Sequence, residues 1–297
     1  MEYVIETRNL SKKFKTKLAA NNVNMHIEKG AIYGFIGKNG AGKTTVMKLI
    51  LGLLRPTGGD LTINGSDNLN KERAKIGSLI EDPGIYKNCT AFENMKRYAI
   101  LFNTSDEEIK ELLKLVDLDK TGKKVAGQFS LGMKQRLGIA ISLLGHPEIL
   151  VLDEPINGLD PAGIKEVRDT IVRLNKEKGI TFLISSHILD ELAKITTQYG
   201  IIRDGVLLEE ISAKALMDRC TTKIKVVVDN PTEASKMLLK NKLINNHEIK
   251  DKAIYLYDSL DHPEAIIEAL VKDNFKVYEV SKNESAFENY FIERIGR

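Results

Sequence analysis

The segment Gly37 to Thr45, GKNGAGKTT, limits this chain more than any other. An apolar run, Ala31-Ile32-Tyr33-Gly34-Phe35-Ile36, precedes it. A run with helical character, Val46-Met47-Lys48-Leu49-Ile50-Leu51, follows. The pattern G-x-x-x-x-G-K-[ST] between a strand and a helix is that of a phosphate-binding loop. Gly37, Gly40 and Gly42 carry no Cβ, so the backbone can close around an anion. The loop N–H groups and the helix N-terminus then face the negative charge. Gly37, Lys38, Asn39, Gly40, Ala41, Gly42, Lys43, Thr44 and Thr45 are the expected nucleotide-binding residues. Lys43 is expected to reach the β- and γ-phosphates, and the Thr44 hydroxyl to ligate Mg²⁺. A chance glycine-rich turn is the bland alternative, and it weakens with every partner motif found in order downstream.

The first such partner is Ile149-Leu150-Val151-Leu152-Asp153-Glu154, four apolar residues and then two acids. Between Pro147 and Pro155 it reads as a strand buried on both faces. Asp153 at the strand end is expected to hold Mg²⁺ through water, a hard cation that takes oxygen ligands. Glu154 is expected beside the γ-phosphate, where a carboxylate can act as general base toward water. A strand end followed by an acidic helix cap is the competing reading.

The remaining chain alternates strands with helices, which predicts an α/β domain with a mainly parallel core. Tyr3–Thr7 reads as a first strand, Leu10–Lys15 as a basic turn, and Val23–Ile27 as a half-exposed strand. Leu61–Gly65, Ile76–Ile80, Thr181–Ile184 and Tyr199–Arg203 read as further strands. Residues 90–145 carry a helical period, with Ser105 capping one helix and Asp160-Pro161 opening another beyond them. After about residue 210 the order becomes βαββαβ, with a last helical segment over Glu284–Arg297. That order predicts a small ferredoxin-like α+β domain. The expected domains are 1–210, with a helical subdomain at about 85–145, and 211–297.

Composition excludes rather than selects. The 297 residues are 42% hydrophobic and 29% charged, ordinary for a soluble globular chain. A net charge of +3 is too small to argue for nucleic acid. Cys89 and Cys220 show no metal spacing and read as inert thiols in a reduced, cytosolic setting. The N-terminus does not read as a signal peptide, and no apolar run approaches the ~20 residues needed to span a bilayer. Any membrane role is therefore expected to use another chain.

Phe129-Ser130-Leu131-Gly132-Met133 precedes a helical run, and here the chain resembles the ATP-binding-cassette (ABC) family. That family's Leu-Ser-Gly-Gly-Gln signature is matched at Ser130 and Gly132, while Leu131 and Met133 depart from it. Asn157-Gly158-Leu159-Asp160 is similar to the family's D-loop, and Ser185-Ser186-His187 to its switch histidine. Phe14 stands where the family stacks an aromatic on adenine, a contact of about 1–3 kcal/mol per base. Where the family has a glutamine after Ile80, this chain has Glu81, expected as a third Mg²⁺ ligand beside Thr44 and Asp153.

The resemblance implies a P-loop NTPase with a mixed sheet core, ATP and Mg²⁺ as cofactors, and Glu154 and His187 as catalytic residues. It implies a nucleotide-sandwich dimer, of two copies or with a sibling ATPase. Ser130 and Gly132 would there serve the partner's γ-phosphate. It also implies integral membrane permease subunits, contacted through the Glu81–Tyr86 loop, and a place on the inner face of the membrane. SLIEDPGIY and FSLGMKQRLGIA are similar to the ATPases of bacitracin-resistance and lantibiotic self-protection exporters. A soluble ABC ATPase acting off the membrane, and a kinase-like or GTPase phosphate-loop protein, are the competing classes.

Overall fold

In the computed structural model, residues 2–220, 223–250, 252–257, 263–283, 290–291 and 294 are described. Residues up to Ala213 and residues from Lys214 onward form two compact units.

The first unit is organised around β4 (Ile32–Ile36), whose five residues are all buried. Parallel neighbours flank it, β8 (Thr181–Ser186) on one side and β9 (Gln198–Arg203) on the other. Outward from β8 lie β7 (Ile149–Asp153) and β6 (Ile76–Leu79), also parallel. β10 (Val206–Ser212) closes the far edge beside β9 and runs antiparallel. The sheet order is β10-β9-β4-β8-β7-β6. β4, β7 and β8 are buried on both faces, which is why each reads as an unbroken apolar run. Parallel pairing gathers their C-terminal ends, with Ile36 beside Ser186 and Asp153 beside Ser185.

A second, antiparallel sheet has β1 (Tyr3–Phe14) at its centre, paired with β2 (Lys17–Val23), β3 (His26–Glu28) and β5 (Gly58–Ile63). Leu10–Lys15 is thus mostly strand rather than turn. Register irregularities between Leu10 and Lys13 break the alternation that marks a strand in sequence. Val23–Ile27 is not one strand either. The Thr7 hydroxyl donates to Val23 O (2.8 Å) and accepts from Met25 N (2.9 Å), replacing the ladder there. Helix α1 (Lys43–Ile50) buries Val46, Met47, Leu49 and Ile50 in a core shared with both sheets. The two sheets are also pinned by Glu210. It accepts from Tyr33 Oη (2.9 Å) and His26 N (2.8 Å), and its other oxygen lies 2.8 Å from His26 Nδ1. Burial, with Glu210 beside it, pushes the Tyr33 phenol well above its ordinary value.

The sequence-expected helical region holds α3 (Ala91–Ala99), α4 (Asp106–Leu115) and α5 (Leu131–Ser142), preceded by the short α2 (Leu69–Arg73). Side-chain caps start each of the three longer helices: Thr90 with Glu93 in a reciprocal box, Ser105, and Ser130. Asp160 caps α6 (Pro161–Lys178), which has proline at its first position, and α7 (Leu189–Ala193) follows β8. Helix α8 (Ala213–Arg219) begins at the last residue of this unit and belongs otherwise to the second.

The second unit contains β11 (Lys223–Val228), α9 (Pro231–Lys240), β12 (His247–Lys250), β13 (Ala253–Leu256), α10 (Pro263–Lys272) and β14 (Val277–Asn283). The strands pair antiparallel in the order β12-β13-β11-β14, the ferredoxin-like arrangement that the βαββαβ order predicts. Ile224, Val226 and Val228 alternate inward to a core with Ala234, Leu238, Ile266 and Leu270 of the helices. Most of the segment expected as a last helix, 284–297, lies outside the described residues.

Candidate functional site

The phosphate loop leaves the C-terminal end of β4 and enters α1 at Gly42, whose φ of +108° only glycine adopts readily. Close packing fixes its back. A side chain at Gly42 would stand 2.3 Å from Ala19 O, and one at Gly37 would stand 2.5 Å from Ile202 O. Gly205 ties the loop to β2, donating from its N to Ala41 O (2.8 Å) and accepting from Asn21 N (2.8 Å). At Gly40 the space in front of the loop is open. A cavity of about 360 Å³ lies there, lined by Phe14, Lys17, Ala19, Asn39, Gly40, Gly42, Lys43, Thr44, Thr45 and Glu154.

The buried Lys43 ammonium donates to Gly37 O (2.7 Å) and lies 3.2 Å from Glu154 Oε1. Thr44 Oγ1 donates to Asp153 Oδ2 (2.7 Å), and Ser185 Oγ donates to Asp153 Oδ1 (2.5 Å). Ser185 Oγ also accepts from Glu154 N (2.8 Å). One hydroxyl on β8 therefore orients both acids at the end of β7. Glu154 adopts a left-handed backbone, φ +49°, a conformation non-glycine residues rarely take outside functional or tight turns. Its Oε2 lies 2.8 Å from His187 Nδ1. Its Oε1 is buried and makes no hydrogen bond. The Lys43 contact at that oxygen is charge proximity without hydrogen-bond geometry, so its lone pairs remain available to a donor in the cavity.

Thr44 Oγ1 and Asp153 Oδ2 form an oxygen-only pair at the mouth of the loop. Among the described residues, no cluster of three or more His, Cys, Asp or Glu could hold a metal by itself. Two hard oxygens beside a phosphate site fit a cation that keeps water and phosphate as its other ligands. Glu81, the third expected ligand, makes its contact with α1 in this structure. It follows β6 with φ +61°, its Oε1 accepts from Lys48 Nζ of α1 (2.7 Å), and it does not line the cavity.

Ser130 also stands apart. Exposed at the start of α5, it accepts from Met133 N (3.2 Å), while Gly132 packs against Gly163 of α6. Neither lines the cavity. Asn157–Asp160 leaves Glu154 in a turn and reaches α6, where Asp160 Oδ1 accepts from Gly163 N (3.1 Å).

The sequence reading did not single out Lys17, or Ser185 as an orienting residue. Lys17 pairs directly opposite Phe14 across a two-residue turn, a register that the structure shows and the run of lysines in the sequence does not. The signal for Ser185 was a serine at the end of a buried apolar strand. A larger cavity, about 840 Å³, opens where β7 and β8 begin, lined in part by Leu112, Leu115, Leu174, Arg173 and Glu177. It lies at the opposite strand ends from the convergent groups just described.

A sequence model of the family described as ABC transporter matches residues 20–157. The chain is 39% identical, over 100% of its length and 97% of the relative's, to the bacitracin transport ATP-binding protein BcrA of Enterococcus faecalis. It is 45% identical to the lantibiotic transport ATP-binding protein SrtF of Streptococcus pyogenes, over 70% of this chain and 90% of that one. Among solved structures, the ATP-binding cassette MJ0796, a dimer in a post-hydrolysis state bound to ADP and phosphate, superposes with a TM-score of 0.63. That match has 26% identity and covers 70% of this chain and 98% of that one. The nucleotide loop, the paired acids and the full-length likeness agree: the chain is an ATP-hydrolysing ATP-binding protein of the ABC transporter family.

Proposed function

We propose that the chain drives export of a peptide antibiotic of the bacitracin or lantibiotic kind through separate membrane subunits, working as a dimer of two copies. The observation that carries the hydrolytic half is Glu154. Its carboxylate is held between Lys43 and His187 at the mouth of the phosphate loop, with one buried oxygen free of hydrogen bonds. The full-length likeness to a bacitracin transport ATP-binding protein supports the export half. Among the described residues no helix is long and apolar enough to cross a membrane. The translocation path therefore belongs to partner chains, with this subunit on the inner membrane face.

In this mechanism Phe14 takes the adenine, and the loop N–H groups with Lys43 take the β- and γ-phosphates. Thr44 and Asp153 would hold Mg²⁺, which would supply charge neutralisation on the phosphate oxygens. Glu154 Oε1 accepts a hydrogen bond from water and takes its proton as the water oxygen attacks the γ-phosphorus and the bond to ADP breaks. His187 Nδ1 fixes the other carboxylate oxygen, so the base keeps its aim. Ser130 and Gly132 act on the nucleotide of the second copy, a reading supported by the exposed position of Ser130 outside its own cavity.

The test is Glu154→Gln. Loss of the base should slow hydrolysis about a hundred- to ten-thousandfold while ATP still binds. Light scattering should then detect a dimer with ATP that disappears on adding Ser130→Arg. Undiminished hydrolysis would remove Glu154 from the mechanism, and a dimer indifferent to Ser130→Arg would remove the composite site.

A further inference from the structure

We infer that Lys17 is a nucleotide-binding residue, its ammonium neutralising the α-phosphate between the base and the phosphate loop. The inference rests on the nucleotide site proposed above and adds a cation to its base end.

Four observations carry it. Phe14 and Lys17 are directly opposed in the β1–β2 ladder, so their side chains leave the same face of the hairpin. Both line the cavity, together with Asn39, Gly40 and Thr45 of the loop. Lys12 lies over the Phe14 ring at 5.2 Å from its centroid, is anchored by its bond to Arg55 O (2.6 Å), and does not line the cavity. One face of the ring is thus occupied by Lys12, and the cavity face is left for a base. Finally, the hairpin is fixed against the loop. Ala19 O meets Gly42, and Gly205 bridges Ala41 and Asn21.

These constraints set where a nucleotide's parts can go. A base on Phe14 and phosphates in the loop at Lys43 leave the ribose and α-phosphate between them. Lys17 is the cavity's cation at the Phe14 end, whereas Lys43 is buried at the far end beside Glu154. An exposed ammonium on a flexible stem acts as a point charge toward phosphate, with a contribution that salt weakens. Among the described residues Lys17 makes no ion pair, and its side chain is exposed.

The experiment is calorimetric titration of ATP, ADP and adenosine into the wild-type chain, Lys17→Ala and Lys17→Met. Lys17→Ala should weaken ADP binding about five- to twentyfold at low salt. Lys17→Met, which keeps the apolar stem, should lose nearly as much. Both losses should shrink as salt rises, and adenosine affinity should not change. Unchanged ADP affinity in both variants overturns the inference. So does an equal loss for adenosine, because the lysine would then serve the base or the hairpin rather than phosphate. If the wild-type chain binds no ATP, the nucleotide site itself fails. Wild-type binding that Lys43→Ala abolishes and Lys17→Ala leaves intact isolates the failure to Lys17.

Discussion

Single residues in this chain are held to tolerances well under an ångström. A Cβ at Gly77 of β6 would stand 1.9 Å from Ser142 O at the end of α5 and 2.6 Å from Leu150. The nearer neighbour is backbone, which cannot swing aside as a side-chain end can. Gly77→Ala should therefore cost about 1–3 kcal/mol of stability, read as a lower urea midpoint. A midpoint equal to wild type would mean that β6 and α5 separate readily. Residues of the nucleotide loop were legible in sequence because phosphate binding demands particular residue types at fixed spacing. The role proposed for Lys17 was not, because Lys12, Lys13, Lys15 and Lys17 crowd one hairpin. Charge alone does not say which of them faces the loop. Glu81 shows the reverse problem. Its type suits a metal, but the positive φ and Lys48 on α1 turn the carboxylate toward an ion pair.

At the scale of elements, periodicity found the strands of the parallel core because burial on both faces leaves nothing to interrupt the apolar run. It misread β1 and missed β10, where register irregularities disturb the alternation, between Leu10 and Lys13 and between Leu207 and Glu209. It also passed over α2, which at five residues is too short to show a period. The helix starts read at Ser105 and Asp160 are both side-chain caps in the structure, and a third cap, at Thr90, went unread. Glu93 accepts from Thr90 N (2.7 Å), and that backbone hydrogen bond, with the Thr90 hydroxyl, holds its carboxyl below the usual range. A carboxylate whose folded pKa is lowered contributes its stability above the unfolded value and loses it as pH falls through the folded one. Glu93→Ala should thus be destabilised relative to wild type at neutral pH, and the gap should close in acid. Denaturant midpoints across that range would decide it, and a gap independent of pH would assign the loss to helix propensity instead.

For the whole molecule, the order of elements carried more information than any single one. A phosphate loop, a serine-capped helix, an acidic strand end and a histidine after a buried strand, in that order along the chain, implied the family. The ferredoxin-like unit was legible as βαββαβ for the same reason, since short connections leave few ways to pair four strands. What the unit binds was not legible. Its sheet places charges such as Lys225 and Glu279 against each other (2.8 Å), which reads as a solvated face. If the chain powers export, the whole assembly should depend on the loop lysine. Cells carrying Lys43→Ala with the membrane subunits should lose protection against bacitracin-type peptides, measured as the inhibitory concentration. Full protection with that variant would separate the chain from export.

The hydroxyl of Ser185 touches both acids, and His187, two residues further along, steadies the second of them. If Asp153 holds the cation and Glu154 takes the proton from water, as proposed, the cation side and the water side of the site share one datum line, the end of β8. A shift of that strand would misalign both together, so small displacements there compound instead of averaging out. Glu154→Gln, which alters one atom of one arm, should then turn the chain into a nucleotide trap. Moving the strand should not do this, because on that reading the same movement would blunt the base and loosen the grip on the phosphates. Selection acting on turnover through this strand acts on affinity as well, and the two quantities are expected to drift as a pair.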